Sequence, residues 1–113
     1  MNCYSLTSLE LNNFKTSQVK DMGYMFQNCS GITSLNLDNF DTSQVTIMRN
    51  MFSTCTNLET LDIRNFETSN IFYYDNMFES CKKLTIIINY QKFKNVYKSI
   101  PDYVQVSNVT SLY

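Results

Sequence analysis

The most reactive side chains in this chain are four cysteines, Cys3, Cys29, Cys55 and Cys81, and each stands 26 residues after the one before. Thiols at fixed spacing invite zinc coordination, disulfide bonding or redox exchange. Zinc needs ligands that converge on a tetrahedron, whereas one thiol per repeat makes a straight row, and histidine is absent altogether. Neighbouring repeats lie within bridging distance, but parallel Cβ vectors suit a disulfide poorly. The spacing predicts free thiols used as small apolar fillers, with a Cys3–Cys29 or Cys55–Cys81 bridge as the alternative. Intact mass with and without reductant separates the two. With two glycines, no phosphate loop and no pair of acids set apart from the surface, nucleophilic, nucleotide and metal chemistry all lack their parts. A chain that is not an enzyme and that needs no cofactor is expected.

The elements that carry the cysteines repeat with them. Aliphatic residues follow each cysteine at three positions (Leu6, Ile32, Leu58, Leu84) and at six (Leu9, Leu35, Leu61, Ile87). Leu11, Leu37 and Ile63 come next, then Asn13-Phe14, Asn39-Phe40 and Asn65-Phe66, then Thr16-Ser17, Thr42-Ser43 and Thr68-Ser69. Each unit closes on Met25-Phe26, Met51-Phe52 or Met77-Phe78. A period between 20 and 50 residues marks a repeat architecture in which each unit buries its apolar face against its neighbours.

Two periodicities alternate within a unit. Leu35-Asn36-Leu37 has the alternation of a half-buried strand, while Val45, Met48, Met51, Phe52 and Cys55 recur at helical spacing. Thr42 or Ser43 stands where a helix N-cap belongs. The fold class expected is therefore an α/β repeat. It is a right-handed, leucine-rich-repeat-like β-α solenoid of about four coils, with a small parallel sheet on one face and short helices on the other. Residues 1–89 form the repeat array, and residues 90–113 a divergent C-terminal capping coil. In that coil Tyr90, Phe93, Val96 or Tyr97, and Ile100 make a helix that Pro101 stops, and Val104-Gln105-Val106 returns as a strand. Val109 and Leu112 resemble the start of a further strand. At the other end the first coil lacks its helix, leaving Leu6, Leu9, Leu11 and Phe14 facing solvent and offering a surface for self-association.

Bulk properties narrow the partners. The net charge of -1 leaves no electrostatic footprint for nucleic acid or an anionic membrane. No apolar run reaches the length of a membrane span, and the N-terminus shows no basic stretch followed by an apolar segment. Asn, Ser and Thr make up 37 of 113 residues, so polar uncharged groups carry the surface.

The block ITSLNLDNF at 32–40 has the LxxLxL core of a leucine-rich repeat, and it continues as DTSQVTIMRNMFSTC. Residues 3–89 thereby resemble the BspA-type leucine-rich-repeat surface proteins, in particular the 26-residue repeat of the mycoplasma-type lipoprotein family. The resemblance implies adhesion, host or matrix protein binding, a cell-surface or secreted location and no catalytic residues.

The residues free to carry function are those that packing does not dictate. Glu10, Asn36 and Asp62 form one outward column of the strand face, and Asn12, Asp38 and Arg64 the next. These vary from unit to unit while the inward positions do not. Phe72 and Tyr73 form a second, aromatic patch beside an inward Tyr74, and they raise a carbohydrate-binding alternative. The Met-Phe pairs read as core rather than as a cofactor groove. Asn13, Asn39 and Asn65 read as a structural ladder that satisfies turn backbone groups. The expected function is a non-catalytic protein-protein interaction module that works through the strand face. End-to-end assembly through the N-terminal coil is the alternative.

Overall fold

Alternating apolar and polar residues after each cysteine form strands shorter than the pattern suggests. The computed structural model describes residues 11 and 14–109. Strands β1 (Ser34–Leu35), β2 (Thr60–Asp62), β3 (Thr85–Ile88) and β4 (Gln105–Asn108) lie in chain order in one parallel sheet. Register pairs Ser34 with Thr60, Thr60 with Thr85 and Thr85 with Gln105, so the offset contracts from 26 to 25 to 20 residues.

The one-residue contraction at β3 corrects the expected inward column. Leu61 pairs with Ile86 rather than Ile87, and Ile86 and Ile88 are buried while Ile87 stands beside Asp62 on the outer face. Side chains alternate with period two, so a slip of one residue exchanges the faces.

The helices expected over the second half of each unit are not formed. Residues 49–54 are consecutive turns, and the same holds for 23–28 and 75–80. Asn50 (φ 55°) and Thr54 (φ 61°) adopt the left-handed conformation, as do Tyr24 and Asn28 before them and Asn76 and Ser80 after. Two such residues per unit forbid a right-handed helix and turn alternate amides along the stacking direction. The N–H groups of Met48, Asn50, Phe52 and Thr54 donate to the carbonyls of Tyr73, Asp75, Met77 and Glu79 at 2.7–2.9 Å. Met22, Tyr24, Phe26 and Asn28 donate in the same way to Ile47, Arg49, Met51 and Ser53. The helical stripe in the sequence has a different origin. Successive β-turns, in which Met51 N–H donates to Met48, Cys55 to Phe52 and Leu58 to Cys55, bring apolar side chains inward at nearly helical spacing.

Thr42 is therefore not a helix cap. Its buried hydroxyl donates to the Glu67 carbonyl at 2.9 Å and accepts from the Glu67 N–H at 2.7 Å. Thr16 makes the same reciprocal pair with Asp41, and the Thr68 hydroxyl donates to the Lys92 carbonyl. A buried threonine thus ties each unit to the next. Asn39 and Asn65 of the expected asparagine row are exposed, and Asn13 lies outside the described residues. Other asparagines cross between units, Asn57 to the Ser30 carbonyl and Asn70 to the Ser43 carbonyl.

The core runs between the sheet and the turn segments. Phe26, Phe52 and Phe78 stack at 5.7 Å between ring centroids, within 9° and 3° of parallel. Met22, Met48, Met51 and Met77 are buried around them, Met25 and Tyr74 partly so. Leu11 is buried, contrary to the expectation of an open first coil, while Phe14 is 50% exposed; Leu6 and Leu9 lie outside the described residues.

The C-terminal part follows its sequence pattern closely. Helix α1 (Tyr90–Phe93) starts at Asn89, whose side chain accepts from the Gln91 N–H. It runs into a 3-10 helix at Lys94–Ser99 that buries Val96 and ends before Pro101. The strand that follows is β4, and Val109 extends it by donating to the Ile88 carbonyl rather than opening a further strand; Leu112 lies outside the described residues. The four-stranded sheet and the turn segments enclose a single hydrophobic core. The chain is accordingly a compact α/β globule with a radius of gyration of 12.9 Å, close to the value of about 13 Å expected for its length.

Candidate functional site

Cys55 Sγ donates to the Phe26 carbonyl at 3.0 Å and Cys81 Sγ to the Phe52 carbonyl at 2.9 Å. Both are free and buried, and burial pushes their ionisation up to about 11 and about 12. They are fillers that also bridge units by hydrogen bonds. Cys29 corrects the free-thiol expectation, since it is disulfide-bonded. Cys3, the other half of the Cys3–Cys29 bridge weighed above, lies outside the described residues. Among the described residues no three His, Cys, Asp or Glu side chains are grouped to hold a metal ion.

Of the two outward columns, the described residues include Asn36, Asp38, Asp62 and Arg64; Glu10 and Asn12 lie outside them. Asn36 follows β1 and Asp62 ends β2, and each shapes the turn that comes next. Asn36 Oδ1 accepts from the Asp38 N–H at 3.0 Å, and Asp62 Oδ1 accepts from the Arg64 N–H at 3.2 Å. Such turns are what short polar side chains favour at strand ends. The Arg64 guanidinium then folds back on Asp62, with Nε at 3.0 and 3.1 Å from its two oxygens and Nη2 at 2.9 Å from Oδ2. This fork holds the Asp62 carboxyl below the usual carboxylate range and raises Arg64 above its own, with the Asp38 charge adding to the rise. An acid, a base and a second acid therefore share one exposed edge of the sheet face. The pair is solvent-exposed and screened, so it adds little to stability. Its effect is to fix where the charges stand.

The aromatic patch lies on a separate ladder. Tyr73 continues the bridges from Asp21 to Ile47 on the turn side, and Phe72 and Tyr73 are 67% and 48% exposed, packed edge to face at 5.3 Å. Arg49, which the sequence reading passed over, places its guanidinium 4.4 Å from the Tyr73 ring centroid and 3.8 Å from Asp75. The repeat itself held the signal, because the 26-residue offset aligns Gly23, Arg49 and Asp75. Gly23 has no side chain there, and a cavity of about 400 Å³ opens between Asp21, Tyr24, Ile47, Arg49 and Tyr73.

These features define a class of protein: a small α/β chain of tandem 26-residue units whose interior is dictated by packing and whose outer columns vary. The chain matches, over residues 1–111, the family described as "Mycoplasma protein of unknown function, DUF285", and it belongs to that family. No curated protein and no solved structure matches it.

Proposed function

We propose that this chain is a non-catalytic protein-interaction module that binds a host or matrix protein through its strand face, as part of a surface adhesion system. In this reading the units are coils of a right-handed, leucine-rich-repeat-like solenoid of the BspA type, and residues 90–113 cap it. The observation that carries the proposal is the preorganised Asp38, Asp62 and Arg64 cluster at the exposed edge of a rigid parallel sheet. Fixed charges steer encounter and discriminate partners more than they add affinity. Family membership supports a mycoplasma-type repeat protein.

The test is binding to a panel of purified extracellular matrix proteins, measured by surface plasmon resonance. The wild-type chain binds at least one of them. The triple variant D38A, D62A, R64A keeps the wild-type circular dichroism and binds about tenfold more weakly. A wild-type chain that binds none of the panel overturns the adhesion reading, and a triple variant with unchanged affinity overturns the site.

A further inference from the structure

The hydrogen-bond ladder of the turn segments stops one step short. At the two earlier junctions every donor of the row is answered by a carbonyl of the following unit. The corresponding donors of the third unit are the N–H groups of Tyr74, Asn76, Phe78 and Ser80. Asn76 (φ 58°) and Ser80 (φ 66°) keep the left-handed conformation of their predecessors, so these amides project in the same direction. Ser80 N–H finds the Tyr103 hydroxyl at 2.8 Å. Among the described residues, the Tyr74, Asn76 and Phe78 N–H groups make no backbone hydrogen bond.

Where the next row of carbonyls would stand, there is a cavity of about 350 Å³. Tyr74, Asp75, Asn76 and Glu79 line it on one side, Lys98 and Tyr103 on the other. The following segment does not fill the gap, because its backbone turns in on itself: the Pro101 carbonyl accepts from Val104 N–H and the Tyr97 carbonyl from Ile100 N–H. Tyr74 and Asn76 line this cavity, and backbone amides without protein partners are costly to seal and ready to bind.

We propose that this cavity receives an extended, basic polypeptide segment of another protein, whose main-chain carbonyls complete the ladder. The acceptors that fill the earlier junctions come from every second residue, Tyr73, Asp75, Met77 and Glu79. Carbonyls along one side of an extended strand recur at that spacing. Charge selects the side chains. Asp75 and Glu79 flank the amides against the single cation Lys98, so a lysine or arginine of the ligand is favoured and a free anion is opposed. Arg49 already stands beside Asp75 from the unit below, 3.8 Å away, and the ligand's base occupies the equivalent place above.

The site is tested on the isotope-labelled full chain by NMR, reading the Tyr74 and Asn76 amides during titration with a capped, alternating Thr-Lys octapeptide. Both resonances move downfield, and their hydrogen exchange slows about tenfold or more at saturation. An alternating Thr-Glu octapeptide leaves them in place. Glu79→Lys, which keeps the remaining spectrum of the free chain, weakens the basic peptide about tenfold. D38A, D62A, R64A binds it as the wild type does, which separates this site from the strand face. The proposal is overturned if the basic peptide moves neither amide, if inorganic phosphate protects them equally, or if Glu79→Lys binds the peptide unchanged.

Discussion

Cys55 and Cys81 each donate to a phenylalanine carbonyl of the unit before, and burial holds both protons far above the usual thiol range. A group whose ionisation is raised by folding contributes stability below its unfolded value, about 8.5, and that stability is lost as pH rises through the folded value. Urea unfolding is therefore expected to show constant stability up to about pH 8, then a decline of about 1.4 kcal/mol per pH unit per thiol towards pH 11. C55A and C81A together flatten that slope. A thiol reagent at pH 8 should modify neither residue until the chain unfolds, and reduction should raise the intact mass by about two units for the Cys29 bridge. The cysteine row was legible in the sequence as a row of buried positions. The bond at Cys29 was not, because the objection to it assumed that all four side chains run parallel.

The elements separate what alternation reveals from what it conceals. The strand positions and the 90–108 segment were readable, since polar and apolar residues alternate at 34–37 and Asn89 and Pro101 bracket the helical run. The turn segments at 49–54 were not, because stacked β-turns imitate the spacing of a helix. Thr42 shows the physical difference. T42V removes the hydroxyl that joins both backbone groups of Glu67, and a cost of about 2–3 kcal/mol is expected by chemical denaturation, with T42S much milder. Were Thr42 a helix cap, the loss would be nearer 1 kcal/mol. At Asn50, with φ 55°, N50A should cost about 1 kcal/mol and N50G almost nothing, whereas a helix would show the reverse order. Of the candidate site, the outward positions were legible by their variation. The Arg64 fork and the Arg49–Tyr73 contact were not, since both depend on how a long side chain folds back.

At the scale of the whole molecule the buried residues form one hydrophobic core, and within it equivalent side chains of successive units line up in columns. The Phe26–Phe52–Phe78 stack passes through three units, so Phe52 touches a like ring on either side. F52A is expected to cost about 3–5 kcal/mol, a large share of the 5–15 kcal/mol typical of a domain. F26A and F78A, each at an end of the stack, should cost less in the same urea titration. The turn-segment ladder adds an orientation that neither the stack nor the sheet conveys. Every bond in its row has its donor in the earlier unit and its acceptor in the later one. The peptide dipoles of these segments therefore add instead of cancelling, as they do along a helix axis. The row runs head to tail, with an electropositive backbone pole at its head in the third unit, where Asp75 and Glu79 stand. Copies or partners can extend this row only head to tail, since two heads would meet donor against donor.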